Sequence, residues 1–167
     1  MGDVVSYCMD CGGTLVEQVP PGDDRSRLVC PTCGQITYIN PKVVVGTLPV
    51  VDSKVLLLRR GIEPRYGMWS YPGGFLEMYE TAEEGARREA REELEIEVDG
   101  LRLLGVYSRP AVGIVTIVYL AKLIEGEPRA TSEALEGRFF RPDEIPWEEL
   151  AFPSTVSALR DWASSAR

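Results

Sequence analysis

Three glutamates, Glu89, Glu92 and Glu93, fall within five residues of a stretch patterned as a helix, and four cysteines stand as two Cys-x-x-Cys pairs, Cys8 with Cys11 and Cys30 with Cys33. At about 100° per residue, Glu89 and Glu93 share one side of that helix with Ala82, Ala86, Ala90 and Leu94. Glu92 borders this side. Arg87, Arg88, Arg91, Glu84 and Glu95 make the opposite, salt-laced face, and only Glu83 breaks the pattern. Two carboxylates about 5 Å apart repel by roughly 3 kcal/mol at an effective dielectric near 20, so a cluster of three on an inward face needs a cation. Oxygen-only ligands favour magnesium or manganese. The preceding Gly73-Gly74 can bring bare backbone groups to the same point. Thr81 with Glu84 three residues later is a capping box that starts the helix at Ala82.

Each Cys-x-x-Cys unit points two thiolates at one centre, and two units complete a tetrahedron suited to zinc. Gly12-Gly13 and Gly34 follow the second cysteine of each pair and permit the left-handed turn of a knuckle. Four cysteines fill the coordination sphere, so this zinc holds structure and leaves no position for substrate. A redox dithiol is the alternative.

The chain has 167 residues and no histidine, which excludes any imidazole base or ligand. Catalysis must then run on carboxylates, metals, thiols, Tyr, Lys or Arg. With 18 Lys+Arg against 26 Asp+Glu the net charge is -8, which argues against DNA or an anionic membrane as partner. Residues 1–40 carry five acidic and two basic side chains, so the cysteine segment is a poor nucleic-acid binder. No leader-like run precedes the cysteines and no apolar run reaches the 18 residues of a membrane span. The expected compartment is a reducing cytoplasm.

The elements that must position these residues divide the chain into a zinc ribbon over 1–40 and a second domain over 41–167. After Pro41, residues 43–51 and 55–58 read as buried strands around Asp52-Ser53-Lys54. The helix follows, then strands at 105–108, 112–124 (a central one) and 137–140. A closing helix at 154–166 places Val156, Leu159 and Ala163 on one face. This order predicts an α/β fold, a mixed sheet covered by helices.

The stretch Gly74-x5-Glu80-x7-Arg88-Glu89-Ala90-x-Glu92-Glu93 resembles the Nudix box. One position departs: Glu95 stands where the family has a helix-ending glycine, which puts the end of the helix in question. The resemblance implies an α/β/α sandwich and Mg2+-dependent hydrolysis of a nucleoside diphosphate linked to another group. By position, Glu89, Glu92 and Glu93 would hold Mg2+ (or Mn2+), Arg88 would orient a glutamate, Glu80 would give a supporting contact, and the carbonyl of Gly73 or Gly74 would complete the metal's coordination. Related zinc-bearing members place a metal-binding Glu before the last strand, which makes Glu133 and Glu136 candidates, with Glu133 also a candidate base. A four-cysteine ribbon joined to a Nudix domain resembles NADH pyrophosphatases and a group that includes plant chloroplast FAD pyrophosphatases. The Ser-Gln-Pro-Trp-Pro-Phe-Pro motif of the NADH enzymes is absent from 104–110, while segments such as 62–69 and 135–140 look like the second group.

For a dinucleotide, Arg65, Tyr66 and Tyr71 are candidate contacts by phosphate pairing and ring stacking, with Tyr107 and Arg109 reaching in from the next strand. Trp69 and Phe75 are expected in the core, and Arg59-Arg60 at a strand end. The leading reading is a pyrophosphohydrolase that splits FAD into FMN and AMP, or ADP-ribose into AMP and ribose 5-phosphate, working as a homodimer. The alternatives are NADH pyrophosphatase activity, removal of an NAD cap from RNA, and a nucleotide-sensing regulator without turnover.

Overall fold

A computed structural model describes residues 5–165; Ala166, expected in the last helix, lies outside them. The chain forms two compact units, Met1–Pro41 and Lys42–Arg167. In the first, β1 (Val16–Gln18), β2 (Arg27–Val29) and β3 (Ile36–Thr37) form an antiparallel sheet in that order. Its apolar interior is small: among the described residues Cys8, Leu15, Pro20, Val29 and Cys30 are the buried ones. Both cysteine knuckles close through a glycine, Gly12 N–H donating to Cys8 O and Gly34 N–H to Cys30 O at 2.9 and 2.8 Å. Both glycines are left-handed, φ 73° and 80°, as such turns require.

The second unit is built on one mixed sheet. Its strands are β4 (Lys42–Val51), β5 (Lys54–Arg60), β6 (Trp69–Ser70), β7 (Gly73–Phe75), β8 (Glu97–Arg109), β9 (Ile114–Glu125) and β10 (Ala134–Phe140). The order is β10-β5-β4-β9-β8, with β6 beside β5 and β7 beside β4. The pair β4 and β9 is parallel, and the others are antiparallel. Helix α1 (Ala82–Leu94) packs its small residues with Val45, Leu56, Leu58 and Tyr119 on one face. Helix α2 (Pro153–Ser165) packs Ala158, Leu159 and Trp162 with Leu48, Val55, Leu57 and Val118 on the other. Strand alternation explains both faces, because Leu56 and Leu58 point one way and Val55 and Leu57 the other. The expected mixed sheet between helices is therefore the fold of this unit. No helix of the described residues is long and apolar enough to cross a membrane.

The helix ends where the glycine would have ended it. Glu95 itself takes the left-handed conformation, φ 56°, and its N–H donates to Arg91 O at 2.9 Å. The capping box is complete at the other end, with Thr81 Oγ1 accepting from Glu84 N–H and Thr81 N–H donating to Glu84 Oε2. Glu83, the exception on the wheel, accepts a hydrogen bond from Tyr119 Oη at 3.0 Å. Strand β8 begins at Glu97 rather than 105. Its first half carries Glu97, Asp99 and Arg102 on an outer strand whose register is interrupted three times, so no clean alternation marks it. On α2 the buried set is Thr155, Ala158, Leu159 and Trp162, one step round from the expected Val156 and Ala163, which are half-buried.

Candidate active site and cysteine cluster

Helix α1 brings Glu89 and Glu93 to the sheet side, where they are 9% and 4% exposed, while Glu92 stays in solvent. The small side chains of Ala86 and Ala90 bring the helix close to the sheet. Glu93 Oε2 accepts a hydrogen bond from Gly73 N–H at 2.7 Å. Burial pushes its carboxyl up to about 8, against the opposing pull of that N–H and of the Arg60 charge. Burial also raises Glu89, although Arg88 donates to it. Arg88 is the hub on the rim. It grips Glu80 with two bonds of 2.7 and 3.0 Å, donates from Nη1 to Glu89 at 2.7 Å and Glu92 at 3.0 Å, and reaches Phe75 O at 3.1 Å. That grip holds the Glu80 carboxyl below its usual range. Arg88 thereby fixes the segment between β7 and α1 against the carboxylates.

Gly73 and Gly74 are required by close approach. A Cβ on Gly73 would stand 2.6 Å from Val45 O, and one on Gly74 would stand 2.5 and 2.6 Å from the Glu89 carboxylate oxygens. The second clash is with a movable side chain, so Gly74→Ala is expected to fold normally but displace Glu89. Turnover should fall about 100-fold, the cost of roughly 1 Å of misplacement at a reacting centre. A wild-type rate in a folded Gly74→Ala variant would refute the link between this glycine and the carboxylate.

Glu133 is exposed on the segment before β10, its charge is felt at both Glu89 and Glu93, and its carbonyl accepts from Gly61 N–H at 2.7 Å. Glu136 stands apart. It is half-exposed, lies 3.5 Å from Arg59, and belongs with that side chain to the face of Val55 and Leu57, away from α1. Arg65 and Tyr66 are exposed on the 61–68 loop, where Arg59 and Arg60 clamp the Gly67 and Pro64 carbonyls at 2.9 and 2.8 Å.

Four residues lie elsewhere than expected. Tyr71 is 4% exposed and packs in the α2-side core, its ring 2.7 Å from where a Cβ of Gly46 would be, so it has no face for a ligand. Tyr107 packs on that same side and donates to Asp161 Oδ2 at 2.7 Å; Arg109, two residues on, shares its strand face. Neither points toward α1. Phe75, expected in the core, is 52% exposed, with Lys42 Nζ 5.5 Å from its ring centroid. Trp69 is buried as expected, edge-on to Phe140 at 4.9 Å.

The buried, oxygen-only donors Glu89 and Glu93 fit a hard divalent cation. Glu93 in particular carries a burial cost that no bonded side chain relieves. In the first unit, the four Sγ atoms lie within 4.8 Å of one another, the one such ligand group among the described residues. Cys8 and Cys33 are 3.7 Å apart and Cys11 and Cys30 3.4 Å. These spacings are far beyond the roughly 2.05 Å of a disulfide, and close to the ~3.8 Å edge of a tetrahedron with 2.3 Å metal–sulfur bonds. Backbone N–H groups of Cys33 and Thr32 favour the Cys30 thiolate, lowering it to about 6.

The family described as NUDIX domain matches residues 40–161, and the one described as Nudix N-terminal matches residues 6–39. The chain is 38% identical over 119 residues to an ADP-ribose pyrophosphatase of Methanocaldococcus jannaschii, covering 69% of each. It is 30% identical to the NAD-capped RNA hydrolase NudC of Pseudomonas aeruginosa over 84% of this chain but about half, 49%, of that protein. The crystal structure of a NUDIX hydrolase from Nitrosomonas europaea superposes with a TM-score of 0.89 at 40% identity, covering 96% of this chain and 91% of that one.

Proposed function

The chain belongs to the Nudix hydrolase family, and from that premise we propose that it is a magnesium-dependent pyrophosphohydrolase whose substrate is an AMP unit joined through a diphosphate to a second group. ADP-ribose and FAD are the substrates in view. The observation that carries this reading is the pair of buried carboxylates, Glu89 and Glu93, set against the bare backbone of Gly73-Gly74. Glu89, Glu93 and, from the rim, Glu92 would hold Mg2+ or Mn2+. Such an ion supplies Lewis-acid polarisation of a phosphoryl oxygen and offsets its charge.

The chain's own residues do the rest. Gly73 N–H keeps Glu93 in one rotamer, and Arg88 keeps Glu89 and Glu92 from drifting apart while neutralising part of their repulsion. Glu133, exposed and near both buried glutamates, accepts the proton of the attacking water. Arg65 and Tyr66 offer a guanidinium and a ring to the outer part of the substrate, and the open face of Phe75 offers a second ring. Cysteines at thiolate rather than disulfide spacing suit zinc and a reducing cytoplasm.

ADP-ribose is favoured by the Methanocaldococcus jannaschii relative named for that activity. Removal of an NAD cap from RNA is the second reading, from the NudC relatives; the acidic first unit offers little to an RNA chain. A panel of ADP-ribose, FAD, NAD, NADH and coenzyme A with Mg2+, read by product chromatography, tests the assignment. AMP should appear from ADP-ribose or FAD and vanish without divalent cation. Failure to turn over any member with metal bound would leave a nucleotide sensor.

A further inference from the structure

On the face of the sheet that α2 covers, near the C-terminal end of that helix, lies a cleft of about 370 Å3. Its floor is apolar: Val50 near the end of β4, Leu120 on β9 and Trp162 on α2, all packed in the α2-side core. Its rim is cationic. Arg102 on β8 pairs with Leu120, and Lys122 stands two positions further along β9, so strand alternation sends both side chains to this face. The β8 ladder is interrupted between Asp99 and Arg102. Gly100, with φ 62°, sits in that interruption under the Lys122 stem, whose Cδ lies 3.7 Å from where a Cβ would stand.

The acids within reach of these cations in the chain are engaged elsewhere. Asp99, the cross-strand partner of Lys122, is held by Arg87 at 3.1 Å. Asp161, beside Trp162, accepts from the Tyr107 hydroxyl at 2.7 Å. The last turn of α2 makes no call on them, because the Ser164 and Ser165 hydroxyls donate to Asp161 O and Trp162 O at 2.9 and 2.8 Å. Among the described residues, Arg102 and Lys122 are left without an ion pair or side-chain hydrogen bond, in a chain of net charge -8. Isolated surface cations point into water and need no further account. These two flank an apolar hollow.

We propose that the cleft is a second binding site, for a phosphomonoester whose organic part is a flat ring system: the phosphate bridges Arg102 and Lys122, and the ring lies on Val50, Leu120 and Trp162. Two cations match the charge of about -1.5 to -2 that a phosphomonoester carries at neutral pH, where a carboxylate would leave one of them unbalanced. The guanidinium fork and the ammonium both suit phosphate oxygens. The volume falls at the low end of the roughly 300–1,000 Å3 of small-molecule sites, which suits a mononucleotide better than a dinucleotide. The site is separate from the carboxylates. Val50 lies four residues beyond Gly46, the partner of Gly73, or about 13 Å along β4, and Glu89 and Glu93 stand on the opposite, α1 side of the sheet. A hydrolase that releases mononucleotides would meet such ligands as its own products, but the binding does not depend on that reading.

The test is calorimetry of the full chain with AMP, FMN, ribose 5-phosphate and inorganic phosphate, without added divalent cation. Under those conditions Glu89 and Glu93 repel a phosphate, so the signal comes from elsewhere. AMP or FMN should bind once per chain, at least about 10-fold more tightly than ribose 5-phosphate or inorganic phosphate, which lack the ring. Whichever of the two binds more tightly names the ring system. Arg102→Ala and Lys122→Ala, both at exposed positions, should each weaken that binding about 10-fold and keep the wild-type kcat/KM for ADP-ribose. Absence of binding by both nucleotides, binding that survives both substitutions, or ringless phosphates binding as tightly would overturn the proposal. So would a parallel fall in kcat/KM, which would make Arg102 and Lys122 part of the substrate site. No turnover on the substrate panel, with Arg102-dependent AMP binding intact, would remove the hydrolase reading and keep this one.

Discussion

Glu93→Gln is expected to abolish turnover while leaving the protein folded and at least as stable as wild type. The two effects have one cause. Glu93 is 4% exposed and has one hydrogen-bond donor, Gly73 N–H, with the Arg60 charge nearby but unbonded. In the absence of metal its negative charge is costly to bury. The amide keeps the shape and an oxygen for Gly73 but carries no charge, so the metal-free variant loses a penalty and no packing. The same neutrality removes an anionic donor from the metal site. Losing a group that merely supports a ligand costs roughly 10- to 100-fold; losing the donor itself should exceed about 100-fold in kcat/KM. Thermal melts should show a variant at or above the wild-type Tm without Mg2+, and a smaller rise when Mg2+ is added. A variant with wild-type turnover, or one that unfolds, would refute the assignment of Glu93.

The second large effect concerns the cysteines. A unit of about 40 residues rarely folds on its apolar interior alone, and this one buries little beyond Cys8, Leu15, Val29 and Cys30. Two of those are the proposed zinc ligands. Purified protein should contain one zinc per chain, and chelation should expose four titratable thiols. Because the binding energy of such an ion is folding energy, chelation or Cys30→Ser should remove amide-exchange protection across β1, β2 and β3. Protection that survives chelation, or a zinc content far below one per chain, would contradict a structural ion.

Some of this was legible in the residues themselves. Helix α1 announced its start and its inward face because capping and a 3.6-residue period are local properties, whereas its end at a left-handed Glu95 did not show; the cysteine quartet was visible in its spacing alone. Orientation within the sheet was harder. Arg59 and Arg60 are adjacent and chemically alike, yet strand alternation sends one to Glu136 and the other toward Glu93; only the register of β5 decides which. Glu136 shows the limit most clearly. The ladder shifts between Ala134 and Glu136, and an irregularity of this kind re-aims a side chain without a mark in the sequence. Tyr71 and Phe75 exchanged their expected places because the loop between β6 and β7 tucks one ring under Gly46, and the short β7 turns the other outward.

The parallel seam between β4 and β9 has a consequence for how the protein is made. Lys42 pairs with Ile114, 72 positions later, and the pairing runs on to Val50 with Lys122. At roughly 5–20 residues per second of synthesis, β4 emerges about 4–14 s before the first of its partners. During that interval an apolar strand has its hairpin with β5 on one side and an open edge on the other. The nascent chain is therefore most prone to sticking to its neighbours before residue 114 is made, and slow closure of this long-range pairing, rather than formation of α1, should set the pace of folding.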